Sequence, residues 1–247
     1  MSEPKLRKNK TFAIAFRAGA LLFVIWGILE TVGVFKNAFN PVTLLAYTIQ
    51  SNILVAVFFG VLLARTVARV RGADKRPARA ENPYGFFPRL SAHIAFAIFV
   101  TMLVFWCVLV PASMQGVRLR ELLVLDNLTV HLFAPLLMLV EYLIFSERGK
   151  LKRCDIFLCA AIPYTYLAEA MTLGLTRTVR YDSWGSPSYY PYIFLDADRF
   201  GAGVILMVGG LTLFFLGVMF IWQRLDEKIA KKKKPGANAK AVARPGF

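Results

Sequence analysis

The chain has 247 residues, 57% of them hydrophobic, with a mean hydropathy of +0.54, more apolar than a soluble domain of this size. Its formal charge of +15 comes from thirty Lys and Arg against fifteen Asp and Glu; because the basic residues fall between apolar runs rather than in a patch, they exclude nucleic acid as a partner and point to a polytopic membrane protein. Three cysteines without CxxC spacing and only two histidines exclude a disulfide framework and a histidine-rich metal centre, so neither metal nor cofactor is expected.

Residues 1–10 form a short basic leader, and the apolar run behind it lacks a small-residue cleavage site, so it reads as a retained first span. That span covers Thr11 to Phe35, with Arg17 near its start and Glu30 near its end. Asn40-Pro41 has the character of an N-cap followed by proline at the first helical position, which predicts a second span from Pro41 to Arg65. A basic connector containing Arg69 to Arg89 leads to span three, Ser91 to Ser113. Span four follows a linker with Arg118 and Arg120 and ends at Phe145; it begins at Leu122 or Leu128, because Asp126-Asn127 suits either a cap or an interruption. A tight basic turn, Glu147 to Arg153, precedes span five, Cys154 to Leu175. The connector Thr176 to Phe200 is rich in interfacial aromatics such as Tyr181, Trp184 and Tyr192, suited to anchoring helices or to forming a lid. Span six is Gly201 to Gln223, and residues 224–247 read as a basic, disordered tail.

The expected fold is therefore an all-α integral membrane protein, a six-transmembrane-helix bundle over residues 11–223 without internal repeats. Leader, second connector with Arg65, fourth connector and tail carry 4, 7, 4 and 8 basic residues, and the other three connectors carry 1, 2 and 3. The positive-inside rule then predicts that both termini are cytoplasmic.

This topology sorts the polar residues by depth. Four residues of Tyr47-Thr48-Ile49-Gln50-Ser51-Asn52 interrupt an apolar span with polar side chains. At a rise of about 1.5 Å per residue, Thr48 and His131 reach similar depths on the outer side, each early in a descending helix. Glu30 and Glu169, near the ends of ascending spans, belong to the same layer. His93 and Arg17 lie at the other side, read respectively as interfacial and as snorkelling towards the cytoplasm. Glu141 lies roughly 15 Å deeper along its helix than His131 and is equally open to a structural or a functional role.

Thr48 and His131 are the sharp candidate pair, since an imidazole accepts a proton from a hydroxyl and makes it a nucleophile. Pro135, four residues after His131, deprives its carbonyl of a donor and predicts a kink there. Ser51 is the competing hydroxyl, Asn52 a candidate oxyanion donor, and Glu30, Glu169, Asp196 or Asp198 a candidate for orienting the imidazole. The plainer reading is that Thr48, Ser51 and Asn52, at i, i+3 and i+4, tie neighbouring helices together.

The six-span layout, the Tyr-Thr-Ile-Gln-Ser-Asn segment around Thr48, the His-Leu-Phe-Ala-Pro segment from His131 and the stretch Tyr190-Pro191-Tyr192-Ile193-Phe194-Leu195-Asp196 together resemble the androgen-induced-protein family over residues 11–223. The family includes the androgen-dependent tissue-factor-pathway-inhibitor regulators and bacterial membrane proteins; Ser51-Asn52 and the basic tail resemble the bacterial branch. The resemblance implies a threonine hydrolase of fatty acid esters of hydroxy fatty acids, with Thr48 as nucleophile and His131 as base. It also implies a lipid ester substrate and a bacterial cytoplasmic membrane, while the apolar spans and the basic connectors make the lipid bilayer the partner and turn the site towards its outer leaflet. A lipid- or solute-binding protein without catalysis, or a transporter using Glu141 and His131, is the alternative.

Overall fold

The computed structural model describes residues 8–76, 82–113, 123–181 and 187–232. The expectations for residues 1–7, Arg79, Arg118, Arg120, Leu122, Trp184 and the tail 233–247 fall outside them. Among the described residues there is no strand, only an isolated antiparallel bridge between Tyr181 and Ser188. Six helices are long and apolar enough to cross a membrane, so the protein is an all-α, multi-pass bundle.

Helix α1, Lys10–Thr31, starts where the Asn9 side chain accepts a hydrogen bond from the Phe12 amide at 3.0 Å. It ends in a turn where Gly33 has φ +85° and a Cβ would stand 2.3 Å from the Ala38 carbonyl oxygen, so only glycine fits. Helix α2 is Tyr47–Val70. Helix α3 begins at Pro88, passes through a π-turn at Phe105–Leu109 and ends in Val110–Ser113. Helix α4, Leu125–Phe145, carries a second π-turn at Thr129–Phe133. Helix α5 is Asp155–Leu175 and helix α6 is Gly203–Lys232.

Helix α1 packs along α2, and α3 along α4. The core lies where these helices meet, around Phe59, Phe96 and Met138, all fully buried. Helices α5 and α6 are peripheral: 17% and 11% of their most apolar stretches are buried, against 56% for α3. Side chains such as Leu175, Leu206 and Leu213 face outward, as lipid-facing residues do.

Lipid tails are as apolar as leucine, so apolar burial alone does little to hold helices together in a bilayer, and polar ties carry more of the specificity. The strongest tie centres on Arg17, which is fully buried and does not snorkel. Its Nε and Nη2 donate to the Glu141 carboxylate at 3.1 and 2.5 Å, and its other contacts are Thr66 Oγ1 and the Tyr84 carbonyl. Phe145 lies under the guanidinium, 4.5 Å from its ring centre. The pair explains Glu141, whose charge is met by Arg17 across α1 and α4. Both residues sat in apolar spans without a sequence-local partner, which is why neither revealed the other.

A second tie corrects the expected end of span six. Asp226 accepts from Tyr142 Oη at 2.9 Å and from the Gly149 amide at 2.6 Å, with Arg148 at 3.4 Å. Anchored there, α6 continues to Lys232, so residues 224–232 are helix and not disordered tail. On the same side of the bundle, Asp155 takes a two-pronged bond from Arg89 and lies 2.9 Å from His93 Nε2, which makes His93 part of a polar cluster.

Glu141→Leu leaves the Arg17 guanidinium buried without a counter-charge and is expected to cost about 3–5 kcal/mol, read as a lower thermal midpoint in detergent micelles. Adding Arg17→Met to that variant should restore most of the loss, because no lone charge then remains buried.

Candidate active site

Asn40 and Pro41 do open a helical segment, but it is only a 3-10 turn, Pro41–Leu45. Ala46 is extended, with φ −78° and ψ 138°, and α2 begins at Tyr47. Thr48 therefore stands in the first turn of α2, and not well inside a helix starting at Pro41. First-turn amides have no intrahelical acceptor. The Thr48 amide instead faces the phenol oxygen of Tyr192 at 3.4 Å.

His131 sits in the middle of the α4 π-turn, and Pro135 accounts for that turn. Without an N–H, Pro135 leaves the His131 carbonyl without its α-spaced donor and the Val130 carbonyl without its π-spaced one. Both carbonyls find donors elsewhere. Trp106 Nε1 donates to the His131 oxygen at 3.2 Å, and Asn52 Nδ2 donates to the Val130 oxygen at 3.1 Å. The expected kink is thus realised as a π-turn with side-chain donors filling its gaps. The same device occurs in α3, where Pro111 follows the π-turn Phe105–Leu109 at the same offset that Pro135 follows Thr129–Phe133. The two turns face each other: Phe105 stacks on the His131 ring with centroids 3.7 Å apart and planes 19° from parallel. Gly27 of α1 lets the α4 turn approach closely, since a Cβ there would lie 2.2 Å from Thr129 Cγ2.

His131 Nε2 lies 3.2 Å from Thr48 Oγ1, and its Nδ1 lies 3.0 Å from the Asn127 carbonyl oxygen. A carbonyl only accepts, so Nδ1 carries the proton and Nε2 presents its lone pair to the hydroxyl. Two residues separated by 83 positions thus form a hydroxyl–imidazole–carbonyl relay. This arrangement suits a nucleophile with its base, the base being oriented by a third group. Both side chains are buried.

The hydroxyl stands beside a cavity of about 110 Å³ between α3, α5 and α6. Phe96, Val100, Leu167, Val208 and Phe215 line it, together with Tyr47, Thr48, Phe105 and Tyr192. His131 lies behind Phe105. On the exposed side, Tyr164 Oη and Thr212 Oγ1 join α5 to α6 at 2.7 Å.

The expected supporting residues have other work. Glu30 is 3.4 Å from Lys36, which also binds Asp126 at 2.6 Å and joins the end of α1 to the start of α4. That bond with Asp126 holds the Lys36 ammonium above the usual lysine range. Glu169 receives Gln50 Nε2 at 2.9 and 3.0 Å. Asp196 caps the one-turn helix Ala197–Phe200 through the Arg199 amide and accepts from Ser188, while Asp198 faces Arg177. None of these carboxylates bonds to His131; its orienting group is the Asn127 carbonyl. Ser51 Oγ bonds to the Thr48 carbonyl and to Thr101. Asn52 Nδ2 spends its hydrogens on the carbonyls of Thr48 (2.7 Å) and Val130, so Asn52 ties the Thr48 helix to the His131 helix and is not free to meet an oxyanion.

Sequence reasoning missed Phe105, Trp106, Tyr166 and Tyr192 as site residues. The matched prolines, Pro111 and Pro135, were the available signal for the first two. Among the described residues, no three His, Cys, Asp or Glu side chains gather into a metal-binding group. Compared with family models, with characterised proteins and with solved structures, the chain matches none.

Asn52→Asp keeps the shape but turns the donor into an acceptor facing two carbonyls. It should lower stability by at least about 1–3 kcal/mol in thermal or denaturant unfolding. Trp106→Phe leaves the His131 carbonyl without that donor and should cost less than Asn52→Asp, because one neutral hydrogen bond is lost and no charge is added.

Proposed function

We propose that the protein is an intramembrane lipid esterase acting on fatty acid esters, with fatty acid esters of hydroxy fatty acids as the leading substrate class. The observation that carries this reading is the 3.2 Å contact between Thr48 Oγ1 and His131 Nε2, with Thr48 lining an apolar cavity. The resemblance of the Thr48, His131 and Tyr190 to Asp196 segments to the androgen-induced-protein family supports the same chemistry. The basic connectors support an orientation with the Thr48 side towards the outer leaflet, and the likeness to the bacterial branch supports a bacterial cytoplasmic membrane.

In this mechanism an ester enters laterally between α5 and α6 with its acyl chain along the apolar walls. Thr48 Oγ1 attacks the carbonyl carbon while His131 Nε2 takes the hydroxyl proton, giving a tetrahedral oxyanion and an imidazolium. Collapse breaks the ester C–O bond, and His131 returns the proton to the departing alkoxide, so the alcohol leaves and an acyl-threonine remains. Water then attacks that acyl group with His131 again as base. A second collapse releases the fatty acid and restores the Thr48 hydroxyl. The Asn127 carbonyl keeps the imidazole in one tautomer and stabilises the charge it gains in each step.

The competing transporter reading loses its carboxylate, because Glu141 is already neutralised by Arg17.

With purified protein and a fatty acid ester of a hydroxy fatty acid, Thr48→Ala and His131→Ala should each lower kcat by about 10²–10⁴-fold. Ser51→Ala should retain most of the activity. Equal turnover by wild type, Thr48→Ala and His131→Ala would eliminate the reading, and loss in Ser51→Ala alone would move the nucleophile to Ser51.

A further inference from the structure

The esterase reading leaves one chemical requirement unassigned, since the tetrahedral intermediate needs hydrogen-bond donors aimed at its oxyanion. Asn52 is committed to two carbonyls, and Tyr47 donates to the Ala97 carbonyl at 3.0 Å. Two other tyrosines line the same cavity. Tyr192 is buried and its oxygen faces the Thr48 amide at 3.4 Å. A phenol that accepts from an amide still has its own hydrogen to give. Tyr166 is 7% exposed and lines the cavity, and its hydroxyl neighbours the Tyr192 oxygen without forming a well-aligned hydrogen bond. The two rings meet edge to face, 6.1 Å between centroids.

A buried hydroxyl without a partner costs free energy. In a cavity walled almost wholly by apolar side chains, that cost is recovered when a ligand supplies an acceptor. The Thr48 amide already directs its one hydrogen at the Tyr192 oxygen, which leaves the Tyr192 hydrogen free to point into the cavity.

We infer that the Tyr166 and Tyr192 hydroxyls form the oxyanion site for an ester carbonyl, and this rests on the esterase reading above. When Thr48 Oγ1 adds to the carbonyl carbon, the electron pair of the C=O bond moves to oxygen between these donors. It returns when the leaving alcohol departs, so the tyrosines neither gain nor lose a proton. Burial holds the Tyr192 phenol above its ordinary pKa, which keeps its hydrogen in place at neutral pH. Tyr181, also buried with an unpartnered hydroxyl, does not line the cavity and is not part of the site.

The experiment compares an oxoester with its thionoester, in which sulfur replaces the carbonyl oxygen and accepts hydrogen bonds poorly. Wild type, Tyr166→Phe and Tyr192→Phe are assayed on both. Each substitution should lower kcat on the oxoester by about 10²–10³-fold with KM little changed. The preference for oxoester over thionoester should shrink by a similar factor. That ratio is independent of the fraction of protein that is folded, and a merely structural tyrosine leaves it unchanged. An unchanged ratio in both variants, with wild-type hydrolysis dependent on Thr48, overturns the oxyanion assignment alone. Absence of Thr48-dependent hydrolysis in the wild type overturns this assignment together with the esterase reading.

Discussion

Pro135 removes one N–H from the middle of α4, and two backbone carbonyls then need donors in a setting where water is scarce. The chain supplies them from two other helices: Trp106 of α3 for the His131 carbonyl and Asn52 of α2 for the Val130 carbonyl. Those two bonds bring the threonine-bearing turn, the histidine-bearing turn and the aromatic π-turn of α3 together. Phe105 then fixes the plane of the imidazole and Asn127 its tautomer. The catalytic geometry proposed for Thr48 and His131 is therefore a consequence of how a helix defect is repaired.

The bundle divides its polar resources between two sides. On one side, Arg17 with Glu141 and Asp226 with Tyr142 and Gly149 join α1, α4 and α6 through saturated contacts. Buried polar atoms without an aligned partner occur on both sides, at Arg69, Asn82 and His93 as well as at Asn52, Tyr166 and Tyr181, but among them Tyr166 is the one that lines the cavity, beside Tyr192. Saturated clusters specify the fold, whereas unsatisfied groups beside a cavity invite a ligand. Helices α5 and α6, the least buried of the six, form one wall of that cavity.

Apolar length and flanking charge made the six spans legible, and helix rise brought Thr48 and His131 to one depth. Rotation about each helix axis was not legible. When nearly every face of a helix is apolar, periodicity does not say which side meets a neighbour, so the carboxylates expected to orient His131 proved to be engaged elsewhere. Arg17 and Glu141 lie 124 residues apart and meet only through tertiary packing. The break at Ala46 was hidden because Asn40-Pro41 gives the same cap signal for a 3-10 turn as for a longer helix. Pro135 marked the π-turn of α4, whereas Pro111, inside span three, was not read as marking that of α3, and only the three-dimensional structure tells which side chains fill the openings they make.

The most direct measurement is acid quenching of the wild-type protein in the first turnover on a fatty acid ester, followed by peptide mass spectrometry. The account predicts an acyl group covalently attached to Thr48, accumulating in His131-competent protein before free fatty acid appears at its steady rate. Acylation at Ser51, or hydrolysis proceeding with no acylated Thr48 at any quench time, would contradict it.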